Sequence, residues 1–203
     1  MGHPQQMVSR PIHLRLPSSL RMDDEQFFAF CQANTDYRIE RTAGGEIDIM
    51  PPTGGETGRR NSDLVTDLNL WARQDGNGIV FDSSTGFRLP NGSTRSPDAA
   101  WVLHERLTAI EPADKERFLP LAPDFVVELA SLSDDIADLN KKMQEYRANG
   151  VRLGWLLVPA TRQVRIYRPG ALPARLDAPE ALDGGGVLIG FTLNLRKIWE
   201  PAF

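Results

Sequence analysis

Two acidic residues in apolar segments are the first candidates for chemistry in this sequence. Asp98 lies in the segment SPDAAWV, and Glu128 lies in PDFVVELA. Both segments predict buried strands, because they are short and apolar and are bounded by turn-forming residues. A buried carboxylate is costly unless it has a charged partner or binds a metal, so the pair indicates a divalent-metal site. On spacing alone, Asp98 could also be a turn residue and Glu128 an edge-strand residue that faces water.

Two carboxylates that hold Mg²⁺ or Mn²⁺ are suited to phosphodiester hydrolysis by a metal-activated water. That reaction also needs a positive group near the attacking water and the charge that develops on the phosphate. Position 130, two residues after Glu128 and on the same strand face, is alanine. The positive group must therefore come from another element.

The predicted helix 135–149 offers two lysines. Its apolar stripe, which should face the sheet, consists of Ile136, Leu139, Met143 and Tyr146. At about 100° per residue, Lys141 points away from this stripe and Lys142 lies at its border. From the border, a long lysine stem can reach along the sheet to the carboxylates. Asp135 lies near the same border and could pair with Lys142 instead.

Glu40 is a third acid, on an alternating strand of a predicted hairpin. It shares a strand face with Arg38, so it could be an outer metal ligand or could pair with Arg38 on a solvated face. Four arginines are candidates to contact nucleic-acid phosphates, although for any single one of them an ordinary solvated surface is the favoured interpretation. They are Arg59, Arg60, Arg88 and Arg95.

The chain has 203 residues, a net charge of −4 and a single cysteine. The acidic balance disfavours strong non-specific nucleic-acid binding but leaves room for a local basic groove. A single cysteine excludes an internal disulfide, and no apolar run approaches the length of a membrane span. These features predict a cytoplasmic globule, with residues 1–22 as an N-terminal arm and residues 23–203 as one domain.

The positioning elements follow from caps and periodicity. Asp23 opens a helix that runs to about residue 34, and a hairpin with strands 37–42 and 46–50 follows it. A long helix over residues 56–74 then leads to the segment of Asp98. The strongest unit is strand 124–130, the helix capped by Ser133 or Asp134, and strand 153–158. Its right-handed crossover predicts two parallel strands in a mixed α/β sheet flanked by helices.

The order and spacing of several segments resemble the Uma family of putative restriction endonucleases, a branch of the PD-(D/E)xK nuclease superfamily. The resemblance covers the chain from about residue 23 to the C-terminus. The segments that carry it are SPD, PDFVVE and the run KMQEYRANGVRLGWL, together with IER, MPPTGG, FDSSTGF and IYRPG. No single segment is specific, but their combination is.

This resemblance implies a restriction-endonuclease-like core and a Mg²⁺- or Mn²⁺-dependent endonuclease that hydrolyses DNA. It assigns metal binding to Asp98 and Glu128. The superfamily usually has a lysine two residues after the glutamate, where this chain has Ala130; in the Uma branch a lysine on the next helix takes its place and maps onto Lys142. Glu40 matches a family glutamate at the first hairpin, and the resemblance implies that it is an accessory acid of the site. The implied partners are DNA and a second copy of the chain, and the alternative is a nuclease-fold module that binds nucleic acid or a protein without cutting.

Overall fold

A computed structural model of the protein describes residues 11–201. Its helices are α1 (Asp24–Ala33), α2 (Gly55–Asp75), α3 (His104–Thr108), α4 (Pro112–Lys115), α5 (Ile136–Ala148) and α6 (Arg196–Trp199). Its strands are β1 (Ile12–Leu14), β2 (Arg38–Arg41), β3 (Ile47–Met50), β4 (Gly78–Asp82), β5 (Phe87–Arg88), β6 (Thr94–Arg95), β7 (Ala99–Leu103), β8 (Phe125–Leu129), β9 (Leu153–Val158), β10 (Gln163–Tyr167), β11 (Ala174–Asp177), β12 (Ala181–Asp183) and β13 (Thr192–Asn194).

The central sheet has six strands in the order β11-β10-β9-β8-β7-β4. Strands β8 and β9 are parallel and are joined by α5, as the sequence predicted. The other neighbouring pairs are antiparallel. The fold is therefore the expected mixed α/β sheet flanked by helices.

A second, five-stranded antiparallel sheet has the order β1-β3-β2-β6-β5. The predicted hairpin forms its β2 and β3, so Glu40 reaches the central sheet from a separate layer. Residues 12–14, which the sequence placed in the N-terminal arm, pair with β3 as β1. Residues 1–10 of that predicted arm lie outside the described residues. Strands β12 and β13 form a further two-stranded sheet.

Helices cover the two faces of the central sheet. On one face, α2 packs its buried residues Leu64, Leu68 and Ala72 against the sheet. On the other face, α5 packs through Met143 and Tyr146. A Cβ at Gly154 would lie 2.6 Å from Cε of Met143, so glycine at this position of β9 lets α5 approach closely. The predicted apolar stripe of α5 is thus the face that meets the sheet.

The helix caps agree with the sequence in part. Asp23 caps α1 in a capping box with Gln26, as expected, and α2 ends at Gly76 in a left-handed conformation. The cap of α5 is Asp135, which accepts a hydrogen bond from the backbone N–H of Ala137, and not Ser133 or Asp134. The Asp134 carboxylate instead accepts from the backbone N–H of Ser131, 2.7 Å away, because the loop before α5 folds back on itself. Among residues 11–201, no helix is long and apolar enough to cross a membrane.

Candidate active site

The register of the central sheet brings Asp98 and Glu128 together. Strands β7 and β8 pair Ala99 with Val127, and continuing this antiparallel register by one residue sets Asp98 opposite Glu128. Oδ2 of Asp98 accepts a hydrogen bond from the backbone N–H of Leu129 at 2.8 Å, which fixes the carboxylate beside the glutamate. Asp98 directly precedes its strand. Its side chain is 13% exposed and that of Glu128 is 3% exposed, so Asp98 is the more accessible of the two acids.

Lys142 is the cation that meets these acids. Its Nζ lies 2.8 Å from Oε1 of Glu128 and 2.8 Å from Oε1 of Glu40. Its side chain is 12% exposed, whereas that of Lys141 is 77% exposed and pairs with Asp138. The helical geometry that selected Lys142 over Lys141 therefore agrees with the structure. The alternative pairing with Asp135 is not observed, because Asp135 caps the helix.

Tyr146 also belongs to the site, although the sequence indicated only a core position for it. Its hydroxyl donates a hydrogen bond to Oε1 of Glu128 at 3.0 Å. The sequence did contain a signal for this contact, because a tyrosine in a buried apolar stripe needs a hydrogen-bond partner for its hydroxyl. It follows Lys142 by four residues, so the two side chains lie on adjacent turns of α5 and reach the same glutamate.

Glu40 is buried between cations and is not on a solvated face. It is 2% exposed. Its Oε1 accepts hydrogen bonds from Lys142 and from the backbone N–H of Ser96 at 3.0 Å, and its Oε2 accepts from Arg95 at 3.1 Å. The Lys142 ammonium therefore bridges Glu40 and Glu128.

Arg38 was considered in the sequence only as a partner for Glu40, but it pairs with Asp98. Its Nη1 donates to Oδ1 of Asp98 at 3.1 Å, and its side chain is 34% exposed. Both oxygens of Asp98 thus accept hydrogen bonds from the protein. The strand face shared by Arg38 and Glu40 is what turns both side chains toward the central sheet.

Burial and charge shift the pKa values of the two glutamates in opposite directions. Burial alone would raise the pKa of Glu40, but the positive charges of Lys142, Arg95 and Arg38 outweigh it and lower the pKa to about 2. Burial raises the pKa of Glu128 to about 7, with Asp98 and Glu40 adding to the shift and Lys142 opposing it. Burial would lower the pKa of Lys142, yet Glu128 and Glu40 raise it, so the ammonium stays charged.

The four arginines that the sequence proposed for phosphate contact all have protein partners. Arg95 is nearly buried and pairs with Glu40, Asp48 and Glu145. The other three form the pairs Arg59–Asp63, Arg60–Glu56 and Arg88–Asp24. The structure brings Arg95 to the site through Glu40, whereas the other three pair with acids other than Asp98 and Glu128.

Comparisons with known proteins place this chain in a family. The family model Uma2, described as "Putative restriction endonuclease", matches residues 24–196. A search of curated proteins returns no match. A solved structure of a putative nuclease belonging to DUF820 from Anabaena variabilis is similar, with a TM-score of 0.72 and 18% sequence identity over 88% of this chain and 97% of that chain. At this identity the likeness shows the nuclease-like fold alone, whereas the family match spans most of the sequence, and the chain therefore belongs to the Uma2 family of putative restriction endonucleases.

Proposed function

We propose that this protein is a Mg²⁺-dependent endonuclease that hydrolyses phosphodiester bonds in DNA. The observation that carries the proposal is the cross-strand pair of Asp98 and Glu128 with the Lys142 ammonium 2.8 Å from the glutamate. Membership of a nuclease family supports the reaction class. Lys142 comes from α5, the helix after β8, and supplies the positive charge that Ala130 cannot supply.

The donor set fits a hard divalent cation such as Mg²⁺ or Mn²⁺. Among residues 11–201, no group of three or more His, Cys, Asp or Glu side chains is arranged to hold a metal. Mg²⁺ does not need such a group, because it keeps several waters and commonly binds through one or two carboxylates. Asp98 and Glu128 would hold it, with the backbone carbonyl of Leu129 or Ala130 as a further oxygen ligand. When bound, the cation supplies an activated water and offsets charge on the phosphate oxygens.

The chain's own residues prepare the site for that charge. Lys142 stays protonated between two glutamates, so its ammonium can orient the attacking water or donate to a phosphate oxygen. Tyr146 holds Oε1 of Glu128, and the Leu129 N–H holds Oδ2 of Asp98, so both carboxylates keep one orientation. Glu40 acts as an accessory acid that holds Lys142 in place.

A plasmid assay tests the proposal. We expect the purified full chain to nick supercoiled plasmid DNA in the presence of Mg²⁺ or Mn²⁺ and to stop when EDTA is added. We also propose that the active form is a dimer in the cytoplasm, since cutting both strands of a duplex often uses two sites. The mass in solution, measured by light scattering with and without DNA, tests the dimer. Intact plasmid at every metal and protein concentration would contradict the endonuclease.

A nuclease-fold module that binds nucleic acid without cutting is the second candidate. It is favoured by the hydrogen bonds that both oxygens of Asp98 already accept from Arg38 and Leu129. The same assay separates the two functions, because the module would retard plasmid DNA without nicking it, with or without a divalent metal.

Arg38 is predicted to compete with the metal for Asp98. Replacing Arg38 by methionine removes the guanidinium from Oδ1, so Mn²⁺ no longer has to displace it. A charge-assisted hydrogen bond at a partly exposed site is worth about 1 kcal/mol, which corresponds to roughly fivefold tighter Mn²⁺ binding by isothermal titration calorimetry. Arg162→Met is the matched control, because its partner Glu200 lies elsewhere. Equal or weaker Mn²⁺ binding by the Arg38 variant would show that Arg38 does not occupy the metal position.

A further inference from the structure

A row of side chains at one level of the central sheet connects the acidic pair to two arginines. The registers pair Glu128 with Leu156, Leu156 with Arg165, and Arg165 with Arg175. Directly paired residues on neighbouring strands share a face, so both arginines lie on the same side of the sheet as Glu128. With strands about 4.8 Å apart, Arg165 lies about 10 Å from Glu128 and Arg175 about 14 Å from it, measured across the sheet.

Helix α5 crosses this row and separates its two ends. Lys142 lies on the flank of α5 that faces the acids. Arg147 lies on the other flank, where its Nη1 donates to the backbone carbonyl of Ala171 at 2.7 Å. Burial raises the pKa of the hydroxyl of Tyr167, which is on the same strand as Arg165, and the positive charges of Arg165 and Arg147 act against that shift. We call Arg147, Arg165 and Arg175 the arginine cluster.

The arginine cluster carries uncompensated positive charge. In the part of the chain that the structure describes, Arg175 pairs with the exposed Asp177, but neither Arg147 nor Arg165 has an acidic partner within 4.0 Å. Three arginines and one aspartate leave a local charge of +2 on a chain whose net charge is −4. Like charges directly opposite each other on paired strands are destabilising, and a bound anion would relieve the repulsion between Arg165 and Arg175.

We propose that the arginine cluster binds the phosphate backbone of DNA on the far side of α5 from Asp98 and Glu128. The choice of DNA as the polyanion rests on the proposed endonuclease function. Guanidinium groups suit this role because their planar donors match phosphate oxygens. Phosphate contacts fix the register and orientation of a bound duplex, so the cluster would position the flanking DNA relative to the catalytic acids.

Salt-dependent DNA binding tests this surface. The full chain would be titrated into a labelled 30-base-pair duplex in EDTA, at several salt concentrations, with fluorescence anisotropy as the readout. For the double variant Arg165→Gln/Arg175→Gln we expect about tenfold weaker binding near physiological salt. We also expect the slope of log K against log salt to fall by about 1.8, since each lost phosphate contact removes about 0.9. Arg165→Lys/Arg175→Lys keeps both charges and should restore the slope.

The matched control is Arg73→Gln/Arg196→Gln, which removes the same charge from exposed positions on α2 and α6. If the slope of log K against log salt is unchanged in the cluster variant, or falls equally in the control, the proposal that the arginine cluster binds DNA is wrong. Tighter binding to an RNA duplex than to the DNA duplex would also contradict it. Nicking by the wild-type chain, run in parallel, separates the two proposals. If the wild-type chain cleaves DNA but its binding does not depend on the arginine cluster, only the proposal of the DNA-binding surface is wrong. If binding depends on the cluster but no cleavage occurs, only the endonuclease proposal is wrong. If the wild-type chain neither binds nor cuts DNA, both proposals are wrong.

Discussion

Replacing Asp98 by asparagine is expected to slow DNA cleavage by about a thousandfold or more while the protein remains folded. Asparagine keeps the size of the side chain and an oxygen that can accept the Leu129 N–H, but it loses the negative charge that a metal requires. A metal ion contributes several kcal/mol of transition-state stabilisation, and a loss of about 4 kcal/mol corresponds to about three orders of magnitude in rate. Single-turnover nicking at saturating protein measures the rate, and calorimetry with Mn²⁺ measures the loss of metal affinity.

Asp124 provides a closely matched control for this experiment. Like Asp98, it follows a proline, precedes a central strand and accepts a backbone N–H from the neighbouring strand, in this case from Leu103 at 3.0 Å. The register places it opposite Val102 and not opposite a second acid, and its charged partners are Arg106 and Arg152. We expect Asp124→Asn to lower the melting temperature but to cut DNA at the wild-type rate well below that temperature. Equal loss of cleavage in the two variants would mean that Asp98 acts through the fold.

These two aspartates show why part of the site could be predicted and part could not. Both Pro-Asp segments precede apolar strands, so local pattern alone does not distinguish them. The difference is the residue across the sheet, Glu128 for one and Val102 for the other, and that depends on a register which no local signal in the sequence fixes.

Lys142 was predictable because it depends on one helix only. The strand–helix–strand unit sets the position of α5, and helical periodicity then decides which lysine faces the sheet. Arg38 and Glu40 come from a second sheet whose packing against the first rests on contacts far apart in sequence. Their alternation showed that they share a face, but it could not show that the face is buried against Asp98 and Lys142.

Replacing Lys142 by methionine is expected to destabilise the fold by about 3–5 kcal/mol at pH 8, in addition to abolishing cleavage. Methionine fills much of the same space, but it leaves Glu128 and Glu40 without the ammonium that lies 2.8 Å from each. Removing one partner of a buried ion pair costs this much because the remaining charge stays desolvated. Urea unfolding measures the difference. Lys141→Met, one residue away and exposed, should leave the midpoint of urea unfolding close to that of the wild-type protein.

The pH dependence of this cost distinguishes a lost ion pair from poor packing of methionine. At pH 8, Glu128 in the wild-type protein is ionised, because its pKa of about 7 lies below that pH. At pH 5 it is protonated, and only Glu40, whose pKa is about 2, still carries a charge beside Lys142. The variant therefore recovers stability relative to the wild-type protein as the pH falls from 8 to 5, since protonation of Glu128 removes one of the two unpaired charges. A packing defect would cost the same at both pH values, so an unchanged difference would mean that Lys142 does not stabilise an ionised Glu128.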